Sequence, residues 1–205
     1  MYTPKQFEQT DPVLLLELMQ QNNFATLIST IDGAPCATHA PVLTRQINGV
    51  MHIEGHLARA NPHWQAMQAE RDTLVIFHGP HTYISPTLYR SSAMVPTWNY
   101  MAVHASGRVV VDHSSEGKLA VLGALVQHHE PEYQRQFDQL DPPFRQSMLN
   151  AIVAFDITVS RLEGKFKLGQ HRLAEDRPEM RTSHDAGDDN QRAIAQWMRR
   201  LGYWE

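Results

Sequence analysis

The sequence predicts a mainly β protein with flanking helices, arranged as an antiparallel β-barrel. An Asp-Gly pair at 32–33 and an Asn-Gly pair at 48–49 separate β-rich runs, and such pairs are typical of two-residue hairpin turns. Further β-rich runs follow at 73–77, 97–111 and 152–162. About six strands in sequential order, with helices inserted between some of them, favour an irregular barrel over a sandwich.

The first part of the chain is predicted to form a helix and a three-stranded meander. Thr-Asp-Pro at 10–12 indicates a helix start, because a capping side chain followed by proline suits the first turn. The segments 24–31, 37–43 and 50–56 are the three strands. Pro41 has no N–H group, so we expect it at an edge, at a bulge or near a strand end.

The later elements alternate between strands and short helices. Asn-Pro at 61–62 starts a short helix, and the buried strand 73–77 ends at a Gly-Pro pair before a brief strand at 83–86. Residues 97–111 form one long strand. The side chains expected to cap the later helices are Ser114, Asp141, and Asp188 or Asp189.

The bulk composition indicates a globular protein and limits the classes of partner that it is expected to bind. The chain has 205 residues, a net charge of −4 at pH 7 and one cysteine, Cys36. The negative charge gives no support for nucleic-acid binding, and a lone cysteine excludes an intrachain disulfide. With no apolar run of about 20 residues and no signal peptide, we expect a soluble, cytoplasmic protein without membrane contact.

The sequence carries no signature of metal or nucleophilic catalysis. The twelve histidines include no HExxH motif, and a single cysteine forms no CxxC pair, so we predict no metal site. Neither a GxSxG motif nor a phosphate-binding glycine loop occurs, which leaves the catalytic residues unassigned. Any chemistry is therefore expected to come from a bound cofactor.

The segment 95–104 is the most informative part of the sequence. Trp98, Asn99 and Tyr100 stand together there, and their polar groups need partners when they are buried. A flat ligand with polar edges satisfies that need, so we interpret the segment as the floor of a binding site. The alternative is a strand with a polar, solvent-facing side.

Two other segments carry cations that suit an anionic ligand. At 56–62 a strand gives way to a helix, where free backbone N–H groups with Arg59 nearby can form a phosphate pocket. Lys165 and Lys167 share one face if their strand continues, and two ammonium groups there suit an anion. The alternatives are an ordinary capped helix and a solvated edge strand defended by lysines.

Several short segments together resemble one known family. They are residues 1–4, 24–30, 38–41, 56 with 60–62, 77 with 79–80, 83–86, 95–100 with 103–104, and 163–168. On these segments the chain resembles the PaiB-type, FMN-binding family of negative transcriptional regulators, which has the split-barrel flavin-binding fold. Residues 87–89 and 169–171 depart from the family pattern, in which an aromatic pair and Ser-Gln-Asn are usual.

The resemblance implies an FMN-binding split barrel that works as a homodimer, with the flavin between the two subunits. The flavin phosphate is then expected near residues 58–61, and the ring against the strand 97–99 and the strand of His39. The residues that these considerations assign to FMN binding are Thr38, His39, His56, Ala58, Arg59, Asn61, Thr97, Trp98, Asn99, Lys165, Lys167 and Gln170.

The domain organisation is predicted as a split-barrel domain at 1–172, followed at 173–205 by a charged linker and a C-terminal helix. Residues 174–189 are rich in charge and poor in apolar side chains, so we expect them to be flexible. The last helix is expected to pack on the same domain or on the dimer partner. Its apolar stripe consists of Ile194, Trp197, Met198 and Leu201.

Three functions stay open at this point. The first is an FMN-binding homodimer with a regulatory role, although direct DNA binding is not supported by charge because three aspartates precede the arginines of the last helix. The second is a flavin-dependent oxidoreductase acting on a small molecule, by analogy with the fold. The third is a haem-binding or haem-degrading protein, since haem needs an axial ligand. The candidate ligands are His39, His56, His104 and His171.

Overall fold

The predicted mainly β fold with flanking helices is confirmed by the structure. A computed structural model describes residues 1–69, 72–90, 94–171 and 174–204. Its strands are β1 (Glu8–Gln9), β2 (Phe24–Ile31), β3 (Ala34–Ile47), β4 (Val50–Ala58), β5 (Thr73–Ile84), β6 (Thr97–Asp112) and β7 (Ile152–Lys167). Its α-helices are α1 (Pro12–Gln21), α2 (His63–Ala69), α3 (Ser115–His129), α4 (Gln134–Asp138), α5 (Pro142–Asn150), α6 (Arg177–Asp185) and α7 (Asp189–Arg200).

The strands form one sheet in the order β1-β7-β4-β3-β2-β5-β6, and β6 also pairs with β7. The hydrogen-bonded order of the six long strands is therefore cyclic, as an antiparallel barrel requires. The ladders that join β2 to β3, β3 to β4 and β4 to β7 are all antiparallel. The sequential β2-β3-β4 meander is the one that the two hairpin dipeptides predict.

Both predicted hairpin turns are present, and their backbone angles explain their residues. The φ angles are 51° at Asp32, 80° at Gly33, 50° at Asn48 and 83° at Gly49. A two-residue turn with positive φ at both positions matches the twist of the flanking strands. Asparagine, aspartate and glycine tolerate this conformation better than other residues do, which is why the sequence signal is reliable here.

Pro41 lies inside β3 but at the point where its neighbouring strand changes. The ladder between β2 and β3 ends with Phe24 opposite Pro41, and the ladder between β3 and β4 begins with Val42 opposite Gly55. A residue without an N–H group is tolerated where one ladder ends. The expectation that Pro41 lies near a strand end is therefore met for the ladder between β2 and β3, which ends there, although β3 itself continues.

The predicted break after residue 77 is wrong, because β5 continues through Gly79 and Pro80 to Ile84. The ladder between β2 and β5 joins only residues 26–28 to residues 74–76. Pro80 thus lies beyond that ladder, where its missing N–H group costs no hydrogen bond to β2. The prediction treated a Gly-Pro pair as a strand terminator, whereas its effect depends on which strands are adjacent.

The chain divides into two compact units. The first unit contains residues 1–15, 78–103 and 163–205, and the second contains residues 16–77 and 104–162. The predicted boundary between residues 172 and 173 lies outside the described residues. The C-terminal segment belongs to the first unit, together with the ends of β5, β6 and β7 that fall in that unit.

In the second unit, backbones approach closely where β6 runs beside β7. A Cβ atom added to Gly107 would overlap the carbonyl oxygen of Thr158, so only glycine fits there without a shift of the backbone. Elsewhere in the unit, alternate residues of the strands are buried, as in Ala25, Leu27 and Ser29 of β2. This period-two pattern is what the sequence shows over its β-rich runs.

In the first unit, the segment predicted to be a flexible linker is largely helical. Residues 177–185 form α6, with Met180 and His184 buried. The helix is strongly amphipathic, so two inward-facing side chains stabilise it despite its polar composition. The expected cap of α7 is confirmed, because the Asp188 carboxylate accepts a hydrogen bond from the Gln191 N–H group at 2.8 Å.

His184 is the buried titratable group of this helical segment. Its Nδ1 donates to the Met180 carbonyl at 2.8 Å, and its ring meets Trp204 edge to face at 5.5 Å. Burial lowers the pKa of His184, and this effect outweighs the hydrogen bond to Met180 and the charges of Asp185 and Asp188, all of which raise it. The folded protein therefore favours the neutral imidazole.

We expect acid to destabilise the protein partly through His184. Its pKa is lower in the folded state than the unfolded value of 6.5, so the unfolded state binds the proton more readily, and stability present above that value is lost as the pH falls. Urea unfolding between about pH 8 and pH 5 should show a shallower pH dependence in His184→Phe than in wild type. His128→Gln, at an exposed position, is the control. Identical pH dependence in wild type and His184→Phe would contradict this assignment.

Candidate functional site

The twelve residues predicted to bind the cofactor fall into two groups, one in each unit. The first unit carries Thr97, Trp98, Asn99, Lys165, Lys167 and Gln170. The second unit carries Thr38, His39, His56, Ala58, Arg59 and Asn61.

Trp98 forms the centre of an exposed aromatic surface in the first unit. It lies near the start of β6 and is 51% exposed, which is unusual for the largest apolar side chain. The ring of His81 lies 6.2 Å from it at a tilt of 35°, and the ring of Tyr83 meets it edge to face at 6.0 Å. These contacts hold the indole in place while its other side stays accessible.

An open cavity of about 610 Å³ adjoins this surface. That volume lies within the range of about 300–1,000 Å³ typical of small-molecule sites. The cavity combines imidazole, indole and phenol groups with a glycine and a thioether, a lining that suits a flat ligand with polar edges. Its lining residues are His78, Gly79, His81, Trp98, Tyr100 and Met101.

The prediction from sequence missed His78 and His81 as part of this site. Both belong to β5, whose continuation past the Gly-Pro pair was not expected. In a continuous strand His81 and Tyr83 share one face, because side chains alternate between the faces of a sheet. His81 and Tyr83 are both exposed, so the alternation of β5 was the signal that could have identified His81.

Lys167 is held against the beginning of β6. Its Nζ donates to the Trp98 carbonyl at 2.9 Å and also contacts the Thr97 hydroxyl. Lys165 and Lys167 lie on the same face of β7, as predicted, because Phe166 between them is buried on the opposite face. The structure thus brings together Thr97, Trp98 and Lys167 as one group.

Asn99 and Gln170 do not join that group in the predicted way. Asn99 is buried on the opposite face of β6 from Trp98, so it does not share the exposed surface. The Gln170 amide is bound to its own turn, where it accepts from the Leu168 N–H group at 2.9 Å and donates to the Phe166 carbonyl at 2.7 Å. Sequence spacing alone does not reveal such local bonds.

In the second unit, Thr38 and Asn61 are brought together. The Thr38 hydroxyl accepts from the Asn61 amide at 3.1 Å and lies 2.8 Å from His63 Nδ1. Asn61 also accepts a hydrogen bond from the His63 N–H group at 3.0 Å, which confirms that Asn61 caps α2. The neighbouring His39 is exposed, with its Nδ1 at 2.9 Å from the Thr26 hydroxyl.

Two of the N–H groups in the predicted phosphate pocket near Arg59 have main-chain partners. The Arg59 N–H group donates to the Ala151 carbonyl at 2.7 Å, and the Asn61 N–H group donates to the Ala58 carbonyl at 2.9 Å. The Arg59 guanidinium donates to the carbonyls of Asn150 at 2.8 Å and Ile152 at 3.2 Å. These donors hold the end of α5 and the start of β7, which is a structural role.

His56 and Asn99 carry buried polar atoms without a partner in the part of the chain that the structure describes. These atoms are His56 Nδ1 in the second unit and Asn99 Nδ2 in the first. Burial lowers the pKa of His56, so the neutral imidazole is favoured. Unsatisfied buried donors and acceptors are uncommon in folded proteins and suit groups that a ligand engages.

Over the described ranges, no group of three or more His, Cys, Asp or Glu side chains is placed to hold a metal ion. The helices in the same ranges are all too short or too polar to span a membrane.

The fold is an antiparallel split β-barrel. The flavocytochrome Anf3 from Azotobacter vinelandii superposes with a TM-score of 0.63 at 14% identity, covering 78% of this chain and 69% of that one. The FAD and heme binding protein from Mycobacterium smegmatis superposes with a TM-score of 0.60 at 18% identity, covering 78% of this chain and 73% of that one. At such low identity these likenesses establish the fold alone.

The sequence establishes the family. Residues 1–161 match the family described as "Putative FMN-binding domain". The protease synthase and sporulation protein PAI 2 from Bacillus subtilis (strain 168) is 37% identical over 175 residues, which cover 84% of this chain and 83% of the relative. The chain therefore belongs to the FMN-binding family, as its resemblance to PaiB-type proteins predicts, and its cofactor is FMN. Lys165, Lys167 and Gln170 lie beyond the matched residues.

The residues of the first unit fit a flavin. The isoalloxazine ring is flat and aromatic, and Trp98 offers an exposed aromatic face beside a cavity of suitable volume. The FMN phosphate is anionic, and the electron-rich edge of the ring accepts hydrogen bonds. The ammonium of Lys167 lies beside the Trp98 carbonyl and suits either group. The donor set and the cavity therefore agree with the family's cofactor.

Proposed function

We propose that the protein is an FMN-binding homodimer with a regulatory role, and that FMN binds on the Trp98 surface of the first unit. The observation that carries this proposal is the exposed indole of Trp98, held by His81 and Tyr83 at the edge of an open cavity. An exposed, immobilised aromatic ring binds a planar ligand at a small cost in side-chain entropy.

The residues of this surface have separate tasks in the proposal. Trp98 stacks against the flavin ring, and His81 and Tyr83 orient Trp98. Lys167, anchored on the Trp98 carbonyl, supplies positive charge to the anionic part of the flavin. When bound, FMN supplies electron or hydride transfer, which the protein tunes through charge and hydrogen bonds.

The second-unit residues Thr38, His39, His56, Ala58, Arg59 and Asn61 stay predictions for cofactor binding. His56 supports this prediction best, because its buried Nδ1 has no partner among the described residues. Arg59 supports it least, since its guanidinium donates to two main-chain carbonyls.

Two features support the homodimer, the flavin position that the family resemblance implies and the apolar character of the Trp98 surface. Val95 precedes Trp98 and is 70% exposed, and Tyr83 is exposed as well. Exposed apolar side chains that cluster on a surface often mark an interaction site. We infer that this surface faces the second subunit and that the flavin lies at the subunit interface.

The regulatory role does not require direct contact with DNA. The arginines of α7, the helix predicted to be its basic candidate, are engaged within the first unit. Arg192 pairs with Asp189, and Arg199 pairs with Asp185. The Arg200 guanidinium stacks over the Trp197 ring at 5.2 Å. A helix whose guanidinium groups are paired in this way offers little charge to phosphates, so we infer that regulation is indirect.

We expect Trp98→Ala and Lys167→Ala each to weaken FMN binding about tenfold or more while the protein stays folded, because stacking and a charge-assisted contact are lost. Quenching of FMN fluorescence measures the affinity. Phe144→Ala removes an aromatic ring that is 53% exposed in the other unit, and Lys5→Ala removes an exposed lysine; both serve as controls. Unchanged affinity in both site variants would refute the placement of FMN on the Trp98 surface.

Absorption spectra test the two alternative functions. A Soret band in the purified protein would favour haem, and reduction by NADPH would favour an oxidoreductase.

Sedimentation equilibrium should give twice the chain mass of 23.4 kDa for the FMN-loaded protein. Val95→Asp places a charge on the proposed interface and should shift the protein toward monomer with weaker FMN binding. Val13→Asp, at a position that is 65% exposed on α1, is the matched control. A monomeric wild type that retains FMN would disprove the interface.

We expect no specific retention of duplex DNA by α7. Filter binding between about 50 and 200 mM salt should show only weak binding, and Arg192→Gln should leave it unchanged. Tight binding that falls steeply with salt and weakens in Arg192→Gln would instead show direct recognition by this helix.

A further inference from the structure

Beside the Trp98 surface, Lys165 lies between two tyrosine rings. Its Nζ is 5.3 Å from the centre of the Tyr100 ring and 5.7 Å from the centre of the Tyr2 ring. The same Nζ donates to the Tyr2 carbonyl at 3.0 Å. Both ring distances are within the range of about 6 Å for cation–π contacts, so the ammonium position is well defined.

In this arrangement the Lys165 ammonium keeps N–H donors that a ligand can use. An ammonium group has three N–H donors, and the Tyr2 carbonyl takes one of those of Lys165. The Tyr2 side chain is 85% exposed although its main chain is tied to Lys165. An ordered, exposed phenol ring next to a cation is a suitable platform for a second aromatic group.

The position lies next to the proposed flavin. Tyr100 lines the same cavity as Trp98. The two residues are on the same face of β6, two positions apart, which corresponds to about 7 Å along a strand. A ligand at Lys165 therefore shares the Tyr100 wall with a flavin at Trp98.

The ammonium groups of Lys165 and Lys167 favour an anion on this face, and the Glu8 carboxylate opposes it. Glu163, two residues earlier on the same face of β7, is held by the Met1 amine at 2.9 and 3.0 Å. Glu8 lies directly opposite Lys165 in the β1–β7 ladder. No ion pair between Glu8 and Lys165 is present among the described residues. Lys167 adds a second positive charge on this face.

We propose that Tyr2, Tyr100 and Lys165 form a second subsite, next to the flavin, for a planar aromatic carboxylate. The ligand's ring packs on the tyrosine rings, and its carboxylate accepts the remaining N–H donors of Lys165. This inference rests on the proposed position of FMN at Trp98. The anion at Lys165 has two possible sources, a separate carboxylate ligand or the phosphate of FMN itself, and the experiment distinguishes them.

Calorimetric titration of the FMN-loaded protein tests the chemistry of the ligand. Benzoate is the probe, benzamide keeps the plane without the charge, and cyclohexanecarboxylate keeps the charge without the plane. We expect benzoate to bind about tenfold or more tightly than either analogue, because only benzoate uses both the lysine and the rings. Equal binding of all three, or no binding of benzoate, would overturn the proposal.

Substitutions of the proposed subsite residues test which side chains bind benzoate. Tyr2→Ala should weaken benzoate binding about tenfold or more without changing FMN affinity, and Lys165→Met should weaken benzoate binding to the same extent. Glu8→Gln should strengthen benzoate binding, since it removes the opposing charge, and Lys5→Met, at an exposed lysine nearby, should change neither. Unchanged benzoate binding in Lys165→Met would overturn the subsite. A loss of FMN affinity in Lys165→Met would assign the lysine to the FMN phosphate and also overturn it.

The same measurements separate this proposal from the one on which it rests. If Trp98→Ala leaves FMN affinity unchanged while Lys165→Met abolishes benzoate binding, the FMN placement fails and the aromatic anion site stands as an independent site. If Trp98→Ala weakens FMN binding and Lys165→Met has no effect on benzoate, the second subsite alone fails.

Discussion

The candidate site depends on one packing contact, that of Phe166 against Trp197. The two rings meet edge to face at 5.5 Å, and both side chains are buried in the first unit. Because side chains alternate along a strand, burying Phe166 turns Lys165 and Lys167 to the opposite face of β7. The C-terminal helix α7 therefore supports the Trp98 surface by fixing the strand that presents both lysines. It also contacts this surface directly, because the His81 N–H group donates to the Asn190 side chain at 3.3 Å.

The cations of this protein lie in two kinds of environment. Arg59 and Lys118 donate to main-chain carbonyls at the end of α5, and Arg199 pairs with Asp185. Lys165 and Lys167, in contrast, lie among aromatic rings and main-chain carbonyls at an open surface. A sequence-level count of basic residues does not distinguish these roles, because each depends on which carbonyl or carboxylate the fold places within reach.

Local sequence signals predicted much of the fold. The turns at 32–33 and 48–49, the cap at Asp188 and the long strand β6 were all predictable, because each depends on backbone conformation over a few residues. The continuation of β5 through Pro80 and the helix α6 were not predictable in this way. The first depends on which strand lies beside Pro80, and the second on apolar contacts that stabilise a polar helix.

For the site, the amino-acid sequence alone was enough to assign the residue types and the family, and so the cofactor. It placed Trp98, Thr97 and Lys167 in one site, and the structure brings these three together. The fold was needed to show that His81 and Tyr83 hold Trp98, that Asn99 faces inward, and that Arg59 donates to main-chain carbonyls. The reason is physical: hydrogen-bond donors and aromatic faces are assigned to partners by distances between strands remote in sequence, whereas conformational preferences act within a few residues.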